Sequence, residues 1–132
     1  KHLLTLALDR ITNVYALANE PYKEYQGVNF DRYFEDTLGV TKTEQDRAQK
    51  VILWVNQYHA PYVKTKPLHS SQQLLEENEK GIKIRLDVVL NFELEREILG
   101  FGEAIIVLSP RHLQRQIAKR VEKMHQQYLK EE

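Results

Sequence analysis

Residues 78–90, NEKGIKIRLDVVL, decide how this chain folds. Asn78 to Gly81 is turn chemistry, with Gly81 free to take a positive φ. Beyond it Ile82, Ile84, Leu86, Val88 and Leu90 alternate with Lys83, Arg85 and Asp87. That period of two predicts a strand with one buried and one polar face. The stretch before the turn, LHSSQQLLEE at 68–77, predicts a polar-faced strand, so the two form a hairpin.

Outward from the hairpin the signals repeat. VILWV at 51–55 is a continuous apolar run of strand length, which suits a strand buried on both faces. QYHAPYVKTK at 57–66 is a short helix with Pro61 near its first turn, where a missing N–H costs little. NFELEREILG at 91–100 is a helix capped by Asn91, EAIIVL at 103–108 a short buried strand, and residues 109–129 a long helix. The order strand, helix, strand, strand, helix, strand describes two βαβ-type halves joined by a hairpin. The fold class is α+β: a ferredoxin-like, four-stranded antiparallel sheet with helices on one face, plus an added C-terminal helix.

Gly100-Phe101-Gly102 raises the question of a phosphate-cradling loop. Such loops follow a strand and open a helix, so that backbone N–H groups and the positive helix end meet the anion. Here a helix runs into the glycines and a strand follows. The expectation is a helix C-cap, with Gly100 left-handed and Phe101 tucked under the helix. At the other end of that strand Ser109 can cap the last helix and Pro110 fits its first position. Arg111 and His112 add charge there; an ordinary cap with solvated basic residues competes with an anion site.

The N-terminal third differs. Leu4, Leu6 and Leu8 alternate with Thr5, Ala7 and Asp9, predicting one long strand or two short ones over residues 3–18. The chain opens without Met and inside this pattern, as expected of a piece of a longer protein. Residues 19–48 are polar and irregular and read as a linker. Within them NFDRYFEDTLG offers one short helix, capped by Asn29, with Phe30, Phe34 and Leu38 on one face and Gly39 at its end. The expected organisation is a terminal β segment (1–18), a linker (19–48) and the sheet domain (49–132).

Composition removes several function classes. The 132 residues suffice for one domain, 42% are apolar and 29% charged, and 19 basic residues balance 19 acidic ones. That balance argues against a general nucleic-acid coat, while leaving room for a local basic patch. Without cysteine there is no disulfide scaffold, zinc–cysteine site or thiol nucleophile. A reducing, cytoplasmic setting fits. No apolar run approaches the roughly 20 residues that span a bilayer, and Asp9 and Arg10 interrupt any signal-peptide core. The histidines at 2, 59, 69, 112 and 125 show no metal spacing. No serine elbow or convergent carboxylate pair specifies catalysis. Neither a metal nor a cofactor is expected, and no enzyme activity.

On the last helix Leu113, Ile117, Val121, Met124 and Tyr128 form one stripe, expected to pack on the sheet or a partner chain. Arg111, Arg115, Lys119 and Lys123 form another, either a solvated face or a row for phosphate contacts. Lys83 and Arg85 share the exposed sheet face, which lacks the aromatic pair that reads bases in nucleic-acid-binding relatives of this fold.

Three stretches together resemble the WYL family of bacterial transcription regulators. LALDRI, 6–11, resembles the last strand of a WYL domain. PLHSSQ, 67–72, resembles the start of the second half of the C-terminal extension that follows it. ELEREILGFGEAIIVLSPRHLQRQI, 93–117, is similar to that extension's helix–glycine–strand–"VlsP"–helix pattern. The resemblance implies that residues 1–18 end a truncated Sm-like WYL barrel and that the rest is the ferredoxin-like extension. It further implies ligand sensing, often of a nucleic acid or nucleotide, and dimerisation. Arg10 matches the arginine of the family's basic ligand-binding surface. Trp54-Val55-Asn56 is not the Trp-Tyr-Leu segment, and the DNA-binding helices are missing, so operator DNA is reached only through an N-terminal domain outside this sequence. The expected ligand contacts are Arg10, Lys83, Arg85, Arg111, Arg115 and Lys119, in a homodimer with a single-stranded nucleic acid or nucleotide effector and no membrane partner. A pure oligomerisation module, its N-terminal strand completing a neighbour's sheet, is the alternative.

Overall fold

The computed structural model describes residues 3–130. Strand β1 (Gln49–Asn56) leads through helix α1 (Ala60–Thr65) to the hairpin β2 (Gln73–Asn78) and β3 (Gly81–Val88). Helix α2 (Phe92–Gly100), strand β4 (Ile105–Ser109) and helix α3 (Arg111–Leu129) complete the domain. The sheet order is β2-β3-β1-β4, every pair antiparallel. This is the ferredoxin-like arrangement with an added C-terminal helix.

Register explains the core. Val51 lies opposite Leu86, Leu53 opposite Ile84 and Val55 opposite Ile82. The apolar sets of the two central strands therefore share one face, and all six side chains are buried. Val63 of α1, Leu94 and Ile98 of α2 and Leu113 of α3 close over them. Each such side chain contributes about 1.5–3 kcal/mol relative to an exposed position. The opposite sheet face is only half covered: Ile52 and Trp54 are partly accessible, and Ile106 is exposed. The runs at 51–55 and 103–108 are thus buried on one face, not on both, because helices cover only one side of the sheet.

Local chemistry shifts several boundaries. Residues 68–72 form a turn ahead of β2. Gln72 bridges it, with Oε1 accepting from the Leu68 N–H (2.9 Å) and Nε2 donating to the Val63 carbonyl (2.9 Å). Side-chain bonds of this kind compete with a sheet ladder. Gly81, at φ 154°, closes the hairpin with its Cα hydrogens against β1; a Cβ there would lie 2.1 Å from the Val55 carbonyl oxygen. Asn91 caps α2 as expected, accepting from the Leu94 N–H at 2.9 Å. The left-handed residue after α2 is Gly102 (φ 57°), not Gly100, which stays helical. Phe101 follows the helix in right-handed conformation and packs on the core, which delays the reversal to Gly102. Ser109 does not cap α3: it remains in β4, paired with Ile52, and the residue at the cap position is Pro110. Gln114 of α3 reaches back instead, donating from Nε2 to the Val107 carbonyl at 2.9 Å.

The expected strand over residues 3–18 does not form. Leu8–Arg10 form a 3-10 turn, the residues on either side have no regular secondary structure, and Leu4, Leu6, Leu8, Val14 and Leu17 are exposed. A strand exists only against a partner, and residues 3–18 pair with neither edge strand of the sheet. Gln114 engages β4, while β2 carries a bulge between Leu74 and Glu76 and the charges of Glu76 and Glu77. The expected helix in 29–39 is a run of tight turns, Arg32 bonding to Asn29, Glu35 to Arg32 and Thr37 to Phe34. Asn29 opens it through a bond to the Asp31 N–H (3.1 Å), and Gly39 ends it at φ 67°.

Residues 36–42 latch onto the domain. The Val89 N–H donates to the Asp36 carbonyl (2.8 Å), and Asn91 Nδ2 donates to the carbonyls of Leu38 (2.9 Å) and Thr41 (3.1 Å). The Thr41 hydroxyl donates to Glu93 Oε1 at 2.7 Å. The side chain that caps α2 therefore also holds the incoming chain.

Candidate functional site

The six expected ligand contacts fall in three separate places. Lys83 and Arg85 lie on the outer face of β3, and each is paired: Lys83 Nζ with Glu76 Oε2 at 3.0 Å, Arg85 Nη2 with Asp87 Oδ1 at 2.8 Å. The Arg85 guanidinium holds the Asp87 carboxyl below the usual range, and the same bond raises Arg85. Arg111, Arg115 and Lys119 are exposed on α3, on the side away from Leu113 and Ile117, with no acidic partner among the described residues. Arg10 sits in the exposed Leu8–Arg10 turn. Of these six, the α3 row alone is a contiguous set of cations without an acidic partner among the described residues.

A cleft of about 400 Å³ opens where three segments meet: the latch at Thr37–Gly39, the turn after α1, and the outer side of α2. Its charged walls are Lys66, Glu93, Arg96 and Glu97, with His69 beside them. It adjoins a second hollow of about 480 Å³ that shares Tyr62 and Glu97 and adds His59 and Phe101. The rings of His59 and Tyr62 stand 6.0 and 6.2 Å from that of Phe101, making an aromatic shelf. Lys66 Nζ lies 5.6 Å from the Tyr62 ring centroid, a cation–π distance.

Neighbours set the chemistry of each wall. The Ser71 N–H donates to His69 Nδ1 at 3.1 Å, and the Ser71 hydroxyl, which itself accepts from the Asp87 N–H, lies 2.8 Å from the same nitrogen. With Nδ1 an acceptor, the neutral ring carries its proton on Nε2, and that N–H is the donor left to the cleft wall. Burial pushes the Glu93 carboxyl up, but the Thr41 hydroxyl and the N–H groups of Glu93, Val40 and Thr41 together hold it below its ordinary value. Glu93 Oε2 is buried and finds no donor among the described residues. Lys66, Arg96 and Glu97 make no ion pair among the described residues.

Sequence reasoning passed over Tyr62, Lys66, Arg96 and Glu97. Only the proximity of Lys66 and His69 along the chain hinted at them; the rest of the cleft comes from residues about 30 positions apart.

A third feature is apolar. Ile105, Ile117, Val121 and Met124 line a groove of about 490 Å³ between α3, the start of β4 and the end of α2. The α3 stripe packs less than expected: Leu113 is buried and Ile117 partly so, while Val121, Met124 and Tyr128 are exposed. The sheet lies beneath only the first two turns of a 19-residue helix. No group of three metal-ligating side chains occurs among the described residues, and no helix among them is long and apolar enough to cross a membrane.

Comparison with known proteins adds the family. No curated protein matches the chain. The sequence model of the WCX domain matches residues 47–125, well over half of the chain and nearly the whole sheet domain from β1 into α3. This is the C-terminal region associated with WYL-type regulators, the extension that residues 67–72 and 93–117 resemble. With sheet order, helix placement and sequence match in agreement, the chain belongs to the WCX domain family, a regulator-associated C-terminal domain.

Proposed function

We propose that this chain is the ligand-sensing and dimerisation region of a bacterial transcription regulator, responding to a nucleic acid or a nucleotide-like anion. Membership of a regulator-associated domain family carries the regulatory part of this reading. The unpaired row Arg111, Arg115 and Lys119 supports the anion part, since Lys83 and Arg85 are already neutralised by Glu76 and Asp87. The domain holds its effector and does not transform it. It acts in the cytoplasm, and operator DNA is contacted through a domain outside this chain.

A labelled single-stranded oligonucleotide, titrated at rising salt, tests the nucleic-acid form. Affinity should fall with a log–log slope of about 0.7 per phosphate neutralised. Replacing Arg111, Arg115 and Lys119 by Gln should flatten that slope. Binding that never appears, or that ignores salt, overturns it.

A second reading, an oligomerisation module without a ligand of its own, is favoured by the exposed apolar stripe of α3 beside Ile106. Sedimentation equilibrium separates the two: a monomer at high concentration overturns both this reading and the dimer part of the first.

A further inference from the structure

We propose that the cleft between the latch and α2 binds a small aromatic anion: a planar ring carrying one anionic group and one hydrogen-bond donor. This deepens the ligand-sensing reading and rests on it, but it moves the effector site away from the basic row of α3.

The walls divide by chemistry. Lys66 and Arg96 are cations without an acidic partner among the described residues, and His69 adds an N–H whose position Ser71 fixes. Together they suit a phosphate or carboxylate, with Arg96 able to engage it through two parallel N–H bonds. Tyr62 and Phe101 offer ring surface next to this charged end, with room of about 480 Å³. Glu97 lines both hollows, and its carboxylate accepts from an amine or hydroxyl on the ligand. Lys66 and Arg96 face two carboxylates, Glu97 and Glu93, the second with its Oε1 already held by the Thr41 hydroxyl and the Val40 N–H, so the cleft suits a ligand that pairs an anionic group with a hydrogen-bond donor. A bare phosphate leaves the shelf and Glu97 unused, and an uncharged ring leaves Lys66 and Arg96 unused.

The site also has a regulatory consequence. Thr37–Gly39 form one wall, so a bound ligand touches the latch and the sheet domain at once. Occupancy therefore strengthens the attachment of residues 36–42, and with it the path of the chain that enters the domain.

The test is a two-dimensional amide NMR titration of the whole chain with adenosine monophosphate, with tryptophan, and with inorganic phosphate alone. The expected result is saturable shifts at residues 37–39, 66–69 and 93–97 with adenosine monophosphate or with tryptophan; which of them binds tells a nucleotide effector from an amino-acid one. The double variant K66Q/R96Q should weaken that binding at least ten-fold while Lys80→Gln, in the hairpin turn, leaves it unchanged. Both altered side chains are exposed, so the fold survives, and the unperturbed amides of β1 and β3 verify it. The proposal is overturned if neither aromatic probe shifts these amides, if phosphate alone binds as tightly as adenosine monophosphate, or if the double variant binds unchanged. Failure of the oligonucleotide titration with success here defeats the α3 row and leaves the cleft standing.

Discussion

Two stretches of this chain carry the same alternating pattern and meet opposite fates. In residues 82–88 the apolar side chains Ile82, Ile84, Leu86 and Val88 are all buried. In residues 4–8 the leucines at 4, 6 and 8 are 81%, 69% and 83% exposed, and the backbone joins no strand, its carbonyls at Ala7 and Leu8 serving only the local 3-10 turn. Period two says which side chains would share a face of a strand, and both stretches carry it in sequence. What distinguishes them is the partner. β3 has β2 on one side and β1 on the other, and the hairpin at Glu79–Lys80 delivers the first of them within two residues. The N-terminal stretch pairs with no strand among the described residues.

The largest effect expected from this contrast is on stability. Leu86→Ala removes a fully buried side chain opposite Val51 and should cost about 2–5 kcal/mol, read from the urea midpoint. Leu6→Ala, in the same pattern, should stay within about 0.5 kcal/mol of the parent chain. Equal losses at the two positions would mean that the first segment is buried in solution, against another copy or another part of its own chain.

Next in size is the hairpin glycine. Gly81→Ala places a methyl group 2.1 Å from the Val55 carbonyl oxygen, at a backbone angle that L side chains rarely adopt. The β1–β3 ladder must part locally, and a loss of about 1–3 kcal/mol is expected. Hydrogen exchange should rise first at Asn56 and Gln57, which flank the contact. Without that local signature the close approach of β1 and β3 would not be what requires glycine at this turn.

Asn91→Ala ranks third. Loss of a helix cap costs about 1 kcal/mol, but this side chain also donates to Leu38 and Thr41. The latch at 36–42 should therefore become protease-sensitive while the sheet still resists, and limited proteolysis followed by mass spectrometry reads this directly. A fall in global stability with the latch still protected would separate the two roles assigned to Asn91.

How much of this was legible in the sequence follows the same divide between local and distant partners. The hairpin, the alternation of β3, the Asn91 cap and the ferredoxin-like order rest on residues within a few positions of one another, and local rules read them. The choice between Gly100 and Gly102 as the left-handed residue depends on where Phe101 finds the core, which no local rule supplies. The cleft was hidden for the same reason. Lys66 reaches it from the end of α1 and Arg96 from the middle of α2, and the latch that walls it reads in sequence only as a polar linker. The basic residues that did stand out, Lys83 and Arg85, proved to be held by Glu76 and Asp87. A charge count shows that cations exist; it does not show which are free.

The smallest effect bears on the latch, the middle case between a fully paired strand and an unpaired one, and it appears with acid. Burial alone would raise the carboxyls of Asp36 and Glu93. Lys42 and Thr37 bond to Asp36, and the Thr41 hydroxyl and nearby backbone N–H groups bond to Glu93, so both are held below their ordinary values of 3.8 and 4.5. A carboxyl depressed in the folded state adds stability above its unfolded pKa and loses it as pH falls through the folded one. The latch should therefore hold unchanged from neutral pH to about pH 5, then weaken progressively as pH drops below 4.5 and 3.8. Its loss should precede that of the sheet, whose core contains no titrating side chain. Amide exchange at Val40 and Thr41, followed against that of β3 over this range, measures the order. Glu93→Gln should flatten the acid response of the latch and leave that of β3 unaltered. If the latch and the sheet instead open together at every pH, residues 36–42 belong to the same cooperative unit as β3, and the attachment made by Asn91 and Glu93 is as much a part of the domain as its central strands.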